Sequence, residues 1–243
     1  MIEDIWTVAR KELMEVWNEG GRWARVHKLL AVLVFGVFLP LQTGQAWIES
    51  PMMVLLWSWA PMFLVVQVVA DAFAGERERH TLETLLASRL PDTAILLGKL
   101  LAAVVYDGVF ILAFLMLGIV TVNVAFGQGT LLIYPLDVLT GLVLVMMLGI
   151  GLVCGAGVLV SLRASGMRQA QQALLIAISA VVIPVSLVSL LLPEDLRNAF
   201  FEFILHARGV DLMFGVAIVL VVLDALLLVA AMARFRRARM ILD

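Results

Sequence analysis

The sequence predicts an all-α integral membrane protein with six transmembrane helices. Hydrophobic residues make up 63% of its 243 residues, and the mean hydropathy is +1.06, whereas soluble domains are roughly half apolar. Apolar runs as long as a spanning helix needs, about 20 residues, alternate along the chain with short polar segments. Lys and Arg residues concentrate in alternate connections between these runs, which is typical of multi-pass membrane proteins.

The six predicted spans belong to a single transmembrane domain over residues 1–243. The third and fourth spans exceed the length that a bilayer requires, so we expect them to tilt or to protrude. In chain order the predicted spans are 29–48, 52–73, 94–126, 135–162, 173–192 and 210–233.

The distribution of positive charge orients these spans. Of the 17 Lys and Arg residues, all except Arg197 and Arg208 fall in the N-terminal segment, the second and fourth connections or the C-terminus. Because cytoplasmic segments carry the excess of Lys and Arg, we expect both termini and the connection after the second span in the cytoplasm. The predicted localisation is the cell membrane, as a multi-pass protein.

Residues 1–20 predict an amphipathic helix in the headgroup region of the lipid bilayer. One face is apolar, and the charged residues lie off that face. The apolar face carries Ile2, Ile5, Trp6, Ala9, Leu13, Val16 and Trp17, and the charged residues are Glu3, Asp4, Arg10, Lys11, Glu12 and Glu15. Two interpretations stay open: the helix is only an interfacial anchor, or it also braces a moving bundle.

The connection between the second and third spans predicts a short helix at 76–88. Leucines recur there at helical spacing among charges of alternating sign, and Pro91 ends the segment because the residue before a proline avoids the helical region. Asp92 is then expected to cap the third span. The short helix either docks in a groove of a soluble partner, where leucines anchor and charges set the orientation, or is a solvated loop.

This charged segment also carries a recognisable pattern. It reads Asp71-x-Phe-x-x-Glu76-Arg77-Glu78-x-x-Thr81-Leu82-Glu83-x-Leu85-Leu86-x-Ser88, followed by Gly98-Lys99. The pattern resembles the permease subunits of type-2 ABC exporters, and so does the layout, with an interfacial N-terminal helix and a short outer helix before the last span. In that family Ser-Pro often precedes the third span, whereas here Arg89 follows Ser88 and the proline stands at position 91.

The resemblance implies that 76–88 is a coupling helix that docks in a cleft of a separate ATP-binding subunit. Two copies of that subunit and a second permease copy, identical or paralogous, would complete the transporter. ATP and Mg would be bound by the partner, and no cofactor by this chain. The implied docking residues are Glu76, Arg77, Glu78, Arg79, Thr81, Leu82, Glu83, Leu85, Leu86 and Ser88.

The chain itself lacks the sequence of an ATPase. A phosphate-binding loop needs a glycine five residues before Gly-Lys and a Ser or Thr after it, but Thr93 and Leu100 occupy those positions around Gly98-Lys99. The single Cys154 excludes an intrachain disulfide, and no Cys/His cluster indicates a metal site. We therefore expect no catalytic residue, no metal and no nucleic-acid partner, and the chain alone is not predicted to be an enzyme.

Two acidic residues, Asp107 and Asp224, lie well inside predicted spans. Facing lipid, each would cost a few kcal/mol, so they should face the bundle interior or a water-filled cavity. They are either a site for a cation, a basic substrate or protons, or structural acids that are protonated or paired. No Lys or Arg lies deep inside a span, so no buried ion pair is expected. The candidate residues of a substrate path are Gln42, Gln67, Asp107, Asn123 and Asp224.

Further features of the sequence concern helix packing and the outer surface of the protein. Gly151 and Gly155 have the spacing that lets two membrane helices approach closely, and Pro184 is expected to kink the fifth span. Acidic residues after Pro193 predict the start of a short outer helix at 195–208.

Together these features predict a permease subunit of an ATP-driven transporter, in the export direction, for a small hydrophobic, amphipathic or cationic substrate. The main alternative is an ion-gradient-driven transporter or channel that uses Asp107 and Asp224. A third possibility is a membrane scaffold that transports nothing.

Overall fold

A computed structural model describes most of the chain, and its regular structure there is helical throughout. The described residues are 1–18, 22–50, 53, 57, 60–79, 81, 89–127, 129–164, 166–191, 193–196 and 209–241. Most of the predicted coupling helix, residues 82–88, and most of the predicted outer helix, residues 197–208, therefore lie outside the described residues.

The helices follow the order of the predicted spans. They are α1 (Ile2–Asn18), α2 (Arg22–Leu33), α3 (Leu39–Thr43), α4 (Ala46–Glu49), α5 (Ala60–Ala70), α6 (Glu76–Glu78), α7 (Asp92–Phe126), α8 (Leu136–Ser161), α9 (Met167–Leu191) and α10 (Gly209–Ile241). Two π-helical segments continue a helix into its neighbour: Val34–Phe38 joins α2 to α3, and Asp71–Gly75 joins α5 to α6. Such wide turns are rare and are often found at functional positions.

Three of the described helices are long and apolar enough to cross a membrane. They are α7, α8 and the Gly209–Arg234 part of α10, and two shorter apolar helices cover Lys28–Thr43 and Met62–Gly75. The protein is therefore an all-helical chain with membrane-length helices. The count of six spans stays a prediction, as do the bend at Pro184 inside α9 and the orientation of the termini.

Helix α8 lies at the centre of the bundle. Half of its apolar stretch is buried inside the protein, compared with 28% for α7 and 11% for α10. Between α8 and α10 the packing is close, because a Cβ atom at Gly155 would lie only 2.8 Å from the Cβ of Leu227. Gly151, one turn earlier, faces Asp224 of α10. Because glycine has no side chain, Gly151 and Gly155 let α8 and α10 approach each other closely.

Two boundaries differ from the sequence-based expectation. The first predicted span extends to residue 48, but the helix ends at Thr43 because Gly44 has a φ of 63°, a left-handed conformation that glycine adopts without strain. The expectation that Asp92 caps the third span was wrong. Pro91 holds the N-cap position with extended backbone, and Asp92 is the first residue of α7, where its carboxylate still complements the helix dipole.

Helix α1 packs against α7 as well as presenting apolar residues outward. Val8 is buried, and a Cβ atom at Gly98 of α7 would lie 2.6 Å from the Cβ of Val8. Trp6 and Trp17 are exposed, which suits contact with lipid. Glu12 was expected off the apolar face, but its side chain is buried against the bundle. Helix α1 therefore packs one side against the protein and leaves its other side exposed.

Candidate functional site

The charged connection after α5 begins with a brace between two oppositely charged residues. Arg79 donates from Nη1 to Oδ1 of Asp71 at 3.0 Å and from Nη2 to Oδ2 at 3.4 Å. The pair spans two helical turns and passes across Gly75, where a Cβ atom would overlap the Asp71 carboxylate. Two parallel hydrogen bonds from a planar guanidinium fix orientation as well as distance. The brace therefore holds Arg79 to the π-helical end of α5.

Glu76, the first residue after the π-helical segment, faces the interior. Its side chain is 6% exposed, and its Oε1 lies 2.9 Å from Nζ of Lys99 in α7 and 3.5 Å from Nζ of Lys11 in α1. Thr81 donates from its backbone N–H and its hydroxyl to the carbonyl oxygen of Glu76, at 2.9 and 3.2 Å. Three segments of the chain, α1, α7 and the connection, thus meet at one carboxylate.

Lys99 is the centre of this meeting point. Its side chain is fully buried, and its Nζ donates to Oε1 of Glu12 at 2.8 Å in addition to the ion pair with Glu76. The ammonium also lies 5.6 Å from the ring centroid of Phe73, within the range of a cation–π interaction. The expectation that no buried ion pair exists was wrong. The acids that pair with Lys99 come from two other segments of the chain, α1 and the connection after α5.

A second lysine, Lys11, adds positive charge to the cluster. Carboxylate oxygens of Glu12, Glu15 and Glu76 lie within 4.8 Å of one another, and Lys11 pairs with all three at 3.2 to 3.5 Å. Partial burial disfavours the ammonium of Lys11, but these acids outweigh burial and raise its pKa above the ordinary 10.5. Three carboxylates at this spacing could hold a cation, and the Lys99 ammonium supplies that positive charge.

Glu78 connects the same segment to α9. Its Oε2 accepts a hydrogen bond from the backbone N–H of Met167, the first residue of α9, at 3.1 Å. The first N–H groups of a helix have no partner within the helix, and the helix dipole favours a negative charge there. A Cβ atom on the adjacent Gly166 would lie 3.1 Å from Oε2, so the absent side chain leaves room for the carboxylate.

The implied docking residues therefore fall into separate groups. Glu76 is buried inside the chain, whereas Glu78, Arg79 and Thr81 are exposed. The backbone of Arg77 lies in α6, and its side chain is outside the described part of the structure. The other implied docking residues, Leu82, Glu83, Leu85, Leu86 and Ser88, lie outside the described residues.

The intramembrane acids lie on helices that face one another. Asp107 of α7 is completely buried, and among the described residues neither of its carboxylate oxygens has a hydrogen-bond partner. On α10, Asp224 directs its carboxylate at Gly151 of α8. Cys154, one turn further along α8, is also buried. A buried acid without a hydrogen-bond partner among the described residues, such as Asp107, is a candidate for function.

The amide candidates for a substrate path differ in their surroundings. The side chain of Asn123 donates to the carbonyl oxygens of Ile119 and Leu132, and its Oδ1 accepts from the N–H of Leu132 at 2.7 Å. These bonds use the Asn123 amide to hold the chain after α7. Gln42 and Gln67, by contrast, have exposed side chains.

The comparison with known proteins gives one distant relative. The chain is 26% identical over 179 residues to the ABC transporter permease protein NatB of Bacillus subtilis (strain 168), an overlap of 67% of this chain and 46% of NatB. The chain thus matches about half the length of that relative. No family model matches the chain. The distant homology supports a transmembrane ABC transporter subunit and agrees with the resemblance of the charged segment to permease subunits.

The side chains of this site connect the segment after α5 to other helices. Ion pairs and hydrogen bonds of Glu76 and Glu78 tie the connection to α1, α7 and α9, although Oε2 of Glu76 has no hydrogen-bond partner among the described residues. Sequence reasoning missed Glu12 and Lys99 as members of this site. The available signal was a lysine next to Gly98 near the start of an otherwise apolar helix, where a charge needs a partner.

Proposed function

We propose that this chain is the transmembrane permease subunit of an ATP-driven ABC transporter. One observation carries the proposal: within the short run 76–79, Glu76 binds α7 and α1, Glu78 binds α9, and Arg79 binds the end of α5. A solvated loop does not require attachment to so many helices. A segment that must transmit movement to the membrane does, and the homology to a permease fits that role.

In the proposed mechanism, two ATP-binding partner subunits close on ATP and push on the segment 76–88. Its leucines seat in the partner, and its charged residues set the orientation. The attachments of Glu76, Glu78 and Arg79 pass the movement to the helices, which changes access to the substrate path between two permease copies. ATP and Mg belong to the partner, so this chain supplies binding and movement without catalysis. The cycle shifts the population of two conformations.

We further propose export from the cytoplasm across the cell membrane, with both termini cytoplasmic. The apolar helices favour a small hydrophobic, amphipathic or cationic substrate over a large anion. The proposed path residues remain Gln42, Gln67, Asp107, Asn123 and Asp224. Of these, Asp107 is buried in the bundle and Asp224 is partly buried against Gly151, whereas the three bonds of Asn123 favour a structural contribution at the edge of the path.

The test is purification of the tagged chain from its own cells, followed by identification of the proteins bound to it and an ATPase assay. An ABC-type ATPase should co-purify, and its binding or its coupled turnover should fail in Arg79→Glu and in Glu83→Lys. Glu3→Lys is the matched control, because Glu3 is an exposed acid of α1. A chain that purifies alone, or reversals that change nothing, would refute the permease assignment.

A gradient-driven transporter is the second candidate, favoured by the complete burial of Asp107 without a hydrogen-bond partner among the described residues. It predicts proton- or sodium-gradient-driven flux in vesicles that contain the purified chain alone. Asp107→Asn should abolish that flux, Asp211→Asn at the exposed start of α10 should not, and Glu83→Lys should be silent. Flux that requires ATP would reject this candidate.

A further inference from the structure

We propose that Glu78 is the positioning residue through which movement of the coupling segment reaches α9. This inference rests on the proposed permease function and adds the route by which that function operates. It assigns a role to the hydrogen bond from the N–H of Met167 to Oε2 of Glu78, at 3.1 Å.

The segment that carries Glu78 is itself held in place by the contacts of Arg79 and Glu76. The neighbouring Arg79 binds both oxygens of Asp71, and Glu76, two residues before Glu78, is fixed by the buried Lys99. A displacement of residues 76–79 is therefore shared with the end of α5. The carboxylate of Glu78 moves with this braced unit, because the residues on both sides of it are attached.

The start of α9 is attached to that unit by contacts of another kind. Ala70 and Ala74 pack against Ala164 and Ala170, and all four are buried. Small side chains let backbones approach closely, and methyl groups carry no polar atom that fixes one helix along the other. The hydrogen bond of Glu78 is directional and charge-assisted. It therefore sets the position of α9 relative to the coupling segment, whereas the alanine surface permits sliding.

The position of the Glu78 hydrogen bond, at the start of α9, also suits the transmission of movement. Met167 is the first residue of α9, a helix of 25 residues that ends at Leu191. Helices are internally hydrogen-bonded and move as stiff elements. Displacement of the first N–H is thus conveyed along α9 as far as the bend predicted at Pro184.

One pair of variants removes the acceptor. In Glu78→Ala the bond is lost, whereas in Glu78→Gln the amide oxygen still accepts from the N–H of Met167 without the charge. A merely structural loss of the carboxylate would affect both variants alike. Positioning through the hydrogen bond predicts that Gln rescues what Ala loses.

A second pair removes the donor and leaves Glu78 intact. Met167→Pro deletes the N–H at the first helical position, where proline is well tolerated and no intrahelical bond is lost. Met167→Ala is its matched control, because it removes the same side chain and retains the N–H. This pair keeps the inference testable if Glu78→Ala fails to fold.

The readout is the reactivity of the thiol in Gln172→Cys, at an exposed position of α9, combined with Cys154→Ala so that no other cysteine is present. Maleimide labelling is compared in membranes that contain the complete transporter, without nucleotide and with ATP plus vanadate. We expect a several-fold change on adding nucleotide in the parent, Glu78→Gln and Met167→Ala. The change should be lost in Glu78→Ala and Met167→Pro.

The possible failures are distinguishable. A nucleotide-dependent change that persists in both Glu78→Ala and Met167→Pro would overturn the role of Glu78 and leave the permease function standing. A parent protein that binds no ATPase and shows no nucleotide response at Gln172 would overturn the proposed function, and this inference with it.

Discussion

Lys99 and Glu76 form an ion pair of 2.9 Å in the interior of the protein, between the start of α7 and the segment that follows α5. The same ammonium binds Glu12 of α1 at 2.8 Å. Removing two or three charges from water is unfavourable unless each finds a partner of opposite sign. This arrangement satisfies the charges only when all three segments are in place, so it makes their relative positions interdependent.

The first prediction concerns the loss of that central charge. Lys99→Met leaves the buried carboxylates of Glu12 and Glu76 with only the half-exposed Lys11 as a cation and should destabilise the protein by about 3–5 kcal/mol, the typical effect of breaking a buried ion pair. Thermal unfolding of the purified protein in detergent, followed by tryptophan fluorescence, would measure it. Lys11→Met is the control, since Lys11 is about half exposed. The triple variant Lys99→Met, Glu12→Gln, Glu76→Gln should recover much of the loss, and no recovery would contradict the ion-pair explanation.

The fold was more readily predicted from the sequence than the charged cluster. Apolar runs specify membrane-length helices locally, and three such helices, α7, α8 and part of α10, are present among the described residues. Lys99 and Glu12 are 87 residues apart, and only the packing of α1 on α7 brings them together. The amphipathic pattern of α1 predicted that Glu12 faces solvent with the other charged residues. A helical projection considers one helix at a time, so it does not reveal the buried Lys99 on α7. The bond of Glu78 to α9 depends on tertiary packing in the same way.

A second prediction follows from the raised pKa of Lys11. Its neighbouring acids favour the protonated form in the folded state, so the stabilisation is fully present below the unfolded pKa of roughly 10.4. It is lost as the pH rises through the higher folded pKa. Unfolding temperatures measured at increasing pH above 10.5 should therefore fall more steeply in the parent than in Lys11→Met. Lys11→Arg, which retains its charge throughout, should also show a shallower decline. Three parallel curves would disprove the linkage.

A third prediction concerns Asn123 as a structural clamp. Asn123→Ala leaves the N–H and carbonyl of Leu132 without their side-chain partner, which costs about 1–3 kcal/mol where the groups stay buried. Hydrogen exchange at Leu132 should become faster, because its amide loses its acceptor at 2.7 Å. Thr140→Val is the control, since it removes an exposed hydroxyl bond to Asp137. Unchanged exchange at Leu132 in Asn123→Ala would refute the clamp.

The last prediction tests whether α1 is an integral part of the coupling site. A methyl group at Gly98 would lie 2.6 Å from the Cβ of Val8 and 2.9 Å from the carbonyl oxygen of Ile5, and a backbone oxygen cannot rotate away. Gly98→Ala should therefore push α1 from α7, with a cost of about 1–3 kcal/mol that is typical of overpacking. Because Lys99 follows directly, the displacement should also lengthen its bond to α1.

Limited proteolysis of α1 and the unfolding temperature would measure that effect. Gly215→Ala is a sharp control, because nothing lies within 4 Å of a Cβ atom at that position of α10. Replacing this glycine by alanine should leave the stability unchanged or raise it by up to about 1 kcal/mol, because alanine has the higher helix propensity. If Gly98→Ala behaved like Gly215→Ala, α1 would not be seated on α7, and the ion pair of Lys99 with Glu12 could not contribute to positioning the coupling segment.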